Sequence, residues 1–420
     1  MFEIPFLDDR PEHAEVEVGT TPKELIYTDN KLSFYRYKPV KKNLHPIPFL
    51  IIYALINRNY ILDLVPGTSF VEHLINNGID VYIIDWGEPT DEDRFLTLDY
   101  FIDWYIHKAV KKTLEISKAD KLTLFGYCMG GHLATIYNAL HDEYIQNLIV
   151  LASPIDPRNS QFINIWADKE RLNLEKMVRA FGNVPARFMQ RIFGLIRDKM
   201  EKNYYGDINE RDAVIKWASD NINIAGQAFM KYVKDIFQEY KLAKNEMQIN
   251  GKAVKLNNIT SNLMVITGND DWVAPYEATT ALHKKVSSNI HETVTLDGGH
   301  LSFIVMKNSK QKWNKVVEWH KEMSDKPLPQ SLTQEQLSEK TKKPAKKNVK
   351  SNAEVKTTQK KNSNSKTKST AKTGNKRSSN KNNNSNAKKK KQNTKQEQGD
   401  NTSNSSAISK TQNEKSKVTQ

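Results

Sequence analysis

Short and almost continuously apolar runs recur along the first 300 residues, and stretches with helical periodicity separate them. Buried strands are predicted at residues 46–56, 80–85, 122–125, 146–152, 263–267 and 292–296, and a loosely alternating strand at 32–37. Helices are predicted at 69–77, 98–116, 132–140 and 311–323. Strands that are apolar on both faces and alternate with helices indicate an α/β fold, in which helices cover both sides of a parallel sheet.

The alternation of strands and helices stops at about Ile155 and resumes after about Gly251. The intervening pattern is helical and rich in aromatic residues, which predicts a helical cap inserted over the sheet. The domain division is therefore 1–154 and 255–325 for the two parts of the core and 155–254 for the cap. Ordinary packing is the usual explanation for apolar stripes, and the alternative is a surface that docks a hydrophobic substrate or partner. Two such stripes are Phe188, Met189, Ile192, Phe193, Ile196 and Met200, and Tyr232, Val233, Ile236, Phe237 and Tyr240.

Composition changes sharply after residue 325. Residues 326–420 contain no Phe, Trp or Tyr and carry a net charge of +18, whereas the whole chain carries +14, which leaves −4 for residues 1–325. Such a Lys-, Asn- and Ser-rich tail has too few apolar residues to offset the entropy of ordering, so we predict that it is disordered. Lysines without interleaved aromatic residues favour loose contact with phosphates, and we expect no specific recognition of nucleic acid.

One cysteine occurs in the chain, and it lies between a predicted strand and a predicted helix. Residues 126–130 read G-x-C-x-G around Cys128. This is the nucleophile-elbow pattern, with Cys in place of the usual Ser. A lone cysteine is most often a small buried hydrophobe, but the strand, the two glycines and the helix together favour a nucleophile. A helix N-terminus beneath the sulfur would stabilise a thiolate.

Candidate partners for this nucleophile follow the two last predicted strands. Asp271 lies in the loop after the strand at 263–267, and His300 follows the strand at 292–296 directly after two glycines. The order nucleophile, acid, histidine is that of α/β-hydrolases. Asp270 is an alternative for the acid, because the two aspartates are adjacent. Histidine transfers protons near neutral pH, and the aspartate would orient its ring.

An oxyanion hole needs two backbone N–H groups beside the nucleophile. We predict the N–H of Met129, directly after the cysteine, as the first. The second is predicted in the loop after the first core strand, at residues 55–57, with Ile56 as the chosen position.

With these residues in view, the sequence resembles the polyhydroxyalkanoate synthases, α/β-hydrolase-superfamily enzymes, over about residues 15–325. It is most similar to the short-chain kinds that work with a separate accessory subunit, classes III and IV, and the choice between these two classes stays open. The resemblance implies Cys128 as nucleophile, His300 as base and Asp271 as third member. Trp272 stands where the family usually has His. The matching segments are 126–131, 53–64, 81–87, 181–185 and 299–300.

The resemblance also implies a substrate and partners. The substrate would be a 3-hydroxyacyl-CoA, with 3-hydroxybutyryl-CoA as the expected case, although the sequence leaves the monomer's chain length open. Coenzyme A would be part of the substrate, so we expect no separate cofactor and no metal. A small accessory subunit, a possible homodimer and the surface of polyhydroxyalkanoate granules are the expected partners. The rival functions are a thioesterase or other hydrolase on the same fold, and a nucleic-acid or polyphosphate binder through the tail.

Three further features indicate a cytoplasmic protein. The acidic N-terminal segment has no apolar signal core. The longest apolar run, residues 49–56, is too short to span a bilayer, so no transmembrane segment is predicted. A single cysteine also suits a reducing compartment.

Overall fold

Eight strands form one sheet in the computed structural model, which describes residues 16–190, 208–305 and 309–324. Their order is β1-β2-β6-β3-β7-β8-β11-β12. The six strands from β6 to β12 run parallel, and β1 and β2 are added antiparallel at one edge. These strands are β1 (Lys23–Asp29), β2 (Leu32–Tyr37), β3 (Phe49–Ile52), β6 (Val81–Asp85), β7 (Leu122–Tyr127), β8 (Ile145–Leu151), β11 (Asn262–Gly268) and β12 (His291–Leu296).

Two short hairpins lie outside the sheet, and helices separate the parallel strands. The hairpins pair β4 (Asp63–Val65) with β5 (Thr68–Ser69) and β9 (Gln248–Ile249) with β10 (Lys252–Ala253). The α-helices are α1 (Phe70–Asn76), α2 (Leu98–Tyr100), α3 (His107–Ser117), α4 (Met129–Leu140), α5 (Gln161–Trp166), α6 (Leu174–Phe181), α7 (Ile208–Ser219), α8 (Gly226–Tyr232), α9 (Tyr276–Thr280) and α10 (Ser309–Ser324). Segments of π-helix follow α2 and α8, at Phe101–Ile106 and Val233–Gln238. Single 3-10 turns lie at Asn59–Leu62, Asp91–Phe95, Asp142–Tyr144, Pro157–Asn159, Leu256–Asn258 and Ala281–Lys284.

The predicted parallel sheet is confirmed, and its central strands are buried from end to end. Every residue of β3, β7, β8 and β11 is buried, as expected for strands that helices cover on both faces. These strands and the helices around them share one hydrophobic core.

Two of the element boundaries that differ from the sequence prediction lie next to Cys128. Strand β3 ends at Ile52, whereas the apolar run continues to residue 56. Residues 53–58 leave the sheet and form a loop, in which the Tyr53 carbonyl accepts a hydrogen bond from the indole N–H of Trp86 at 3.0 Å. Helix α4 begins at Met129, three residues earlier than predicted. Both glycines after Cys128 are therefore helical, which brings the helix N-terminus directly beneath the cysteine.

The segment between β8 and β11 is mainly helical where the structure describes it. The aromatic stripe of α8 and the π-helix after it is buried except at Tyr240, which is partly buried: Tyr232, Val233, Ile236 and Phe237 are at most 5% exposed. Packing, rather than docking at the surface, thus accounts for this stripe. In the other stripe Met189 is buried and Phe188 partly buried, while Ile192, Phe193, Ile196 and Met200 lie outside the described residues.

A search of the described helices for a membrane-spanning segment found none that is long and apolar enough to cross a bilayer.

Candidate active site

Cys128 occupies a strained turn between β7 and α4. Its backbone has φ 54° and ψ −119°, a conformation that residues with a side chain rarely adopt. The flanking glycines make this turn possible because other backbone approaches them closely. A Cβ on Gly126 would lie 2.5 Å from the Gly130 carbonyl oxygen, and a Cβ on Gly130 would lie 2.1 Å from that of Ile52. The spacing G-x-C-x-G is therefore a steric requirement of this turn.

Hydrogen bonds to the backbone fix the position of Cys128 further. Its N–H donates to the Leu151 carbonyl at 2.8 Å, and its carbonyl accepts from the Ser153 hydroxyl at 2.6 Å. Ser153 lies two residues after the end of β8, and the sequence indicated no role for it. Its hydroxyl would also lie 1.9 Å from a Cβ on Gly131, so the serine fills the space that a third glycine leaves.

The structure brings the predicted acid and base together. Nδ1 of His300 lies 2.8 Å from Oδ2 of Asp271. The other carboxylate oxygen of Asp271 accepts the backbone N–H groups of Val273 and Ala274 at 2.9 and 2.8 Å. Asp271 is buried, whereas the neighbouring Asp270 is exposed. The geometry therefore places Asp271, and not Asp270, beside the histidine.

His300 also interacts with the side chain of Cys128, the predicted nucleophile. Burial by itself opposes the charged imidazolium, but the charges and hydrogen bonds of Asp271 and Cys128 outweigh it and hold the pKa of His300 well above its ordinary value. The ring is therefore stable as an imidazolium between a carboxylate and a sulfur. This arrangement suits a thiolate nucleophile.

Two tyrosines without a predicted role, Tyr127 and Tyr53, pack beside the elbow. Tyr127 donates a hydrogen bond from its hydroxyl to the His300 backbone carbonyl at 2.8 Å. Its ring packs edge-on against Tyr53 at 5.8 Å. Tyr127 had a local signal, because it lies inside the elbow motif. Its acceptor, the His300 carbonyl, is 173 residues away along the chain, and no local sequence pattern predicts this pairing.

The first turn of α4 is joined to the cap through His132 and Tyr232. Nε2 of His132 lies 3.1 Å from the Pro154 carbonyl oxygen, which can only accept, and its Nδ1 lies 2.9 Å from the Tyr232 hydroxyl. Burial lowers the pKa of His132 to about 4, so the ring is neutral. Nε2 therefore carries the proton, and the Tyr232 hydroxyl donates to Nδ1.

The predicted oxyanion groups belong to the first turn of α4 and to the loop after β3. Met129 is the first residue of α4, where backbone N–H groups have no partner within the helix. Ile56 lies in the loop after β3, and its carbonyl accepts a hydrogen bond from the Ile222 N–H of the cap at 3.1 Å. Strand β3 pairs with β7 so that Ile52 is opposite Gly126, which brings this loop beside the nucleophile.

Trp272 directly follows Asp271, at the position where the polyhydroxyalkanoate synthases usually have His. Its ring packs edge-on against Phe162 of α5 with centroids 4.5 Å apart. The departure thus places an aromatic contact between the acid's loop and the cap.

Within the residues that the structure describes, no group of three or more His, Cys, Asp or Glu side chains is arranged to hold a metal ion.

The elbow, the histidine and the aspartate all lie at the carboxyl ends of parallel strands, the edge at which open α/β sheets bind ligands. Fold and site together define an α/β-hydrolase-fold protein with cysteine at the nucleophile position. A family model for the alpha/beta hydrolase fold matches residues 47–306, and a model for the N-terminus of poly-beta-hydroxybutyrate polymerase (PhaC) matches residues 9–74.

Comparison with curated proteins identifies the family. The PhaC subunit of a poly(3-hydroxyalkanoate) polymerase from Haloferax mediterranei is 35% identical over 74% of this chain and 66% of its own length. The corresponding subunit from Synechocystis is 32% identical over 69% of this chain and 82% of its own length. The chain belongs to the poly(3-hydroxyalkanoate) polymerase family, whose members are enzymes of the acyltransferase type. Among solved structures, a monoacylglycerol lipase from Paleococcus ferrophilus matches with a TM-score of 0.49 at 16% identity, covering 69% of this chain and 99% of its own.

Proposed function

We propose that this chain polymerises 3-hydroxyacyl-CoA, with 3-hydroxybutyryl-CoA as substrate, through a covalent intermediate on Cys128. The observation that carries the proposal is the contact of His300 with both Asp271 and Cys128, at the carboxyl ends of three parallel strands. Family membership supports the polymer as product, because the matched relatives are named poly(3-hydroxyalkanoate) polymerases.

The first half-reaction forms the acyl-enzyme. The Cys128 thiolate attacks the thioester carbonyl, a carbon–sulfur bond to the enzyme forms, and the bond to coenzyme A breaks. The imidazolium of His300 gives its proton to the departing thiolate. The raised pKa of the ring means that it holds this proton before the reaction. The N–H groups of Met129 and of the loop at Ile56 would stabilise the transient oxyanion.

The second half-reaction lengthens the chain. The 3-hydroxyl of another unit attacks the acyl group on Cys128, its proton passes to His300, an ester bond forms and the thiolate is released. Cysteine suits the whole reaction better than serine. Transfer of the acyl group from coenzyme A to Cys128 exchanges one thioester for another, which is nearly thermoneutral. The acyl group therefore stays activated on sulfur until the hydroxyl arrives.

A product assay separates this function from its rival on the same fold. Incubation with 3-hydroxybutyryl-CoA should release coenzyme A and yield insoluble polymer. Release of coenzyme A with free 3-hydroxybutyrate as the only product would instead identify a thioesterase, and the proposed polymerase would be rejected.

We further propose that a separate small subunit docks on the cap and that the complex works at the granule surface. Phe95 and Phe181 are 66% and 52% exposed and both line an open cavity of about 740 Å³ beside α6 and α8. Val178 and Met230 add to the apolar lining. Exposed aromatic residues grouped in a recess are typical of protein docking sites.

Copurification with a co-encoded helical subunit tests this docking site. We expect the chain alone to begin polymerisation only after a lag, which the subunit shortens. Phe181→Gln should weaken the complex and restore this lag. Tyr276→Gln, which alters an exposed aromatic residue of α9, should leave both unchanged. Full, lag-free activity of the chain alone would show that no subunit is needed, and light scattering of the same sample would test for a homodimer.

A further inference from the structure

The loop that follows β3 starts in direct contact with the nucleophile elbow. We call residues 53–60 the oxyanion loop. Gly130 leaves room for it, since a Cβ there would lie 2.1 Å from the Ile52 carbonyl oxygen and 2.9 Å from the Tyr53 carbonyl carbon. With so little space between loop and elbow, a shift of the loop changes its distance from Cys128.

Backbone contacts from the cap hold the far side of this loop. We call residues 217–224 the clasp. The Ile222 N–H donates to the Ile56 carbonyl at 3.1 Å, and Asn221 pairs with Asn57 as an antiparallel β-bridge. The indole N–H of Trp217 donates to the Arg58 carbonyl at 2.9 Å. Three successive residues of the oxyanion loop are thus positioned by the clasp.

Side chains add a second set of contacts around Asp220. Its carboxylate accepts a hydrogen bond from the Tyr60 hydroxyl at 3.1 Å and one from Nε of Arg58 at 3.4 Å. Arg58 also contacts the exposed Glu88 at 3.1 Å. Ion pairs with this much exposure add little to stability. Their effect here is to restrict the orientation of the loop.

The clasp is itself attached to the rest of the cap. Val184 and Ile224 exchange two backbone hydrogen bonds, at 2.9 and 3.0 Å. Hydrogen bonds therefore connect the oxyanion loop, through the clasp, to the rest of the cap.

We propose that Trp217 and Asp220 are positioning residues for the oxyanion hole, so that docking of the cap and assembly of the hole are one event. They hold the oxyanion loop with its N–H directed at the thioester carbonyl. This inference rests on the proposed acylation of Cys128 by a thioester.

Two reactions of the Cys128 sulfur show whether the clasp positions the oxyanion hole or affects the reactivity of the sulfur itself. Acylation by 3-hydroxybutyryl-CoA develops an oxyanion, whereas alkylation by iodoacetamide displaces iodide at a saturated carbon and develops none. Cys128 is the only cysteine, so both rates report one site. Trp217→Phe and Asp220→Asn should slow single-turnover release of coenzyme A by about tenfold or more. Their alkylation rates should stay within about twofold of the wild type.

Matched variants and a milder change control the test. Trp104→Phe removes an indole donor that faces Asp29, and Asp212→Asn makes the same charge change on α7. Both should leave the two rates unaltered. Tyr60→Phe removes only the hydroxyl that contacts Asp220 and should give the same selective loss at smaller size, even if a larger change impairs folding.

Unchanged acylation in Trp217→Phe and Asp220→Asn would overturn the inference. A parallel fall of acylation and alkylation would overturn it too, because the nucleophile itself would then be disturbed. If the wild type is acylated but releases free acid, the proposed polymerase fails, and the ratio of the two rates still decides whether the clasp positions the hole.

Discussion

Tyr127 and His300 are joined by a hydrogen bond of 2.8 Å from the phenol hydroxyl to the backbone carbonyl. Tyr127 immediately precedes Cys128, the proposed nucleophile, and His300 is the proposed base. One buried bond thus connects the elbow to the loop after the last strand, which carries His300.

The Tyr127→Phe variant tests this connection. Loss of the hydroxyl leaves the buried His300 carbonyl without its donor, which should cost about 1 kcal/mol of stability. Turnover should fall several-fold because the loop carrying His300 loses its anchor. Steady-state kinetics beside denaturant unfolding would measure both. Tyr137→Phe, which removes another buried hydroxyl that contacts His107 at 3.1 Å, should lower stability without a comparable loss of turnover. Equal turnover in Tyr127→Phe and the wild type would contradict the expected role.

The two adjacent aspartates should differ strongly in their effect on turnover. Asp271→Asn replaces the carboxylate that faces His300 and should lower kcat by roughly 10⁴-fold, the size of effect known for a wrongly set imidazole tautomer. Asp270→Asn alters an exposed side chain and serves as the matched control, with kcat within about twofold of the wild type. A larger loss in Asp270→Asn would show that the acid has been assigned to the wrong residue.

Stability should depend on pH through His300. Its folded-state pKa lies well above the ordinary value of about 6.5, so folding favours the protonated ring. The resulting stabilisation is fully present below about pH 6.5 and is lost as pH rises through the folded-state pKa. Denaturant unfolding of wild type and His300→Gln between pH 6 and 10 would measure it, and the advantage of the wild type should shrink toward alkaline pH. A constant or growing advantage would rule out the charged ring.

The buried His132 should act in the opposite direction. Its pKa falls from about 6.5 to about 4 on burial, so folding favours the neutral ring. The wild type should lose up to about 3 kcal/mol of stability as pH falls from 6.5 to below 4. His132→Gln can still donate to the Pro154 carbonyl and should lose less over that range. His291→Gln, at an exposed histidine, should behave as the wild type, and identical acid profiles for His132→Gln and wild type would contradict the buried neutral ring.

The features that could be predicted from sequence are those with a local cause. The glycines around Cys128 are required by contacts within five residues and with the adjacent strand, so the motif itself predicts the turn. Asp271 and His300 follow apolar strands, and the carboxyl ends of parallel strands meet at one edge. The alternation of apolar runs and helices likewise predicted the sheet, including the edge strand β12, although not the bounds of the other edge strand, β1.

The features that sequence reasoning missed depend on contacts between distant parts of the chain. Trp217 reaches Arg58 across 159 residues, and Ser153 reaches Cys128 across 25. An indole or a hydroxyl has no local pattern that names its acceptor. The early end of β3 has the same origin, because Ile56 is apolar and buried but bonds to the cap instead of to a neighbouring strand.

The account as a whole depends on a covalent intermediate at Cys128 that leads to polymer. The most direct measurement incubates wild type and Cys128→Ala with labelled 3-hydroxybutyryl-CoA, then determines protein-bound acyl groups by mass spectrometry and polymer by precipitation. We expect the wild type to carry the acyl group on the peptide containing Cys128 and to form polymer, and Cys128→Ala to do neither. Substantial polymer formed by Cys128→Ala would contradict the account.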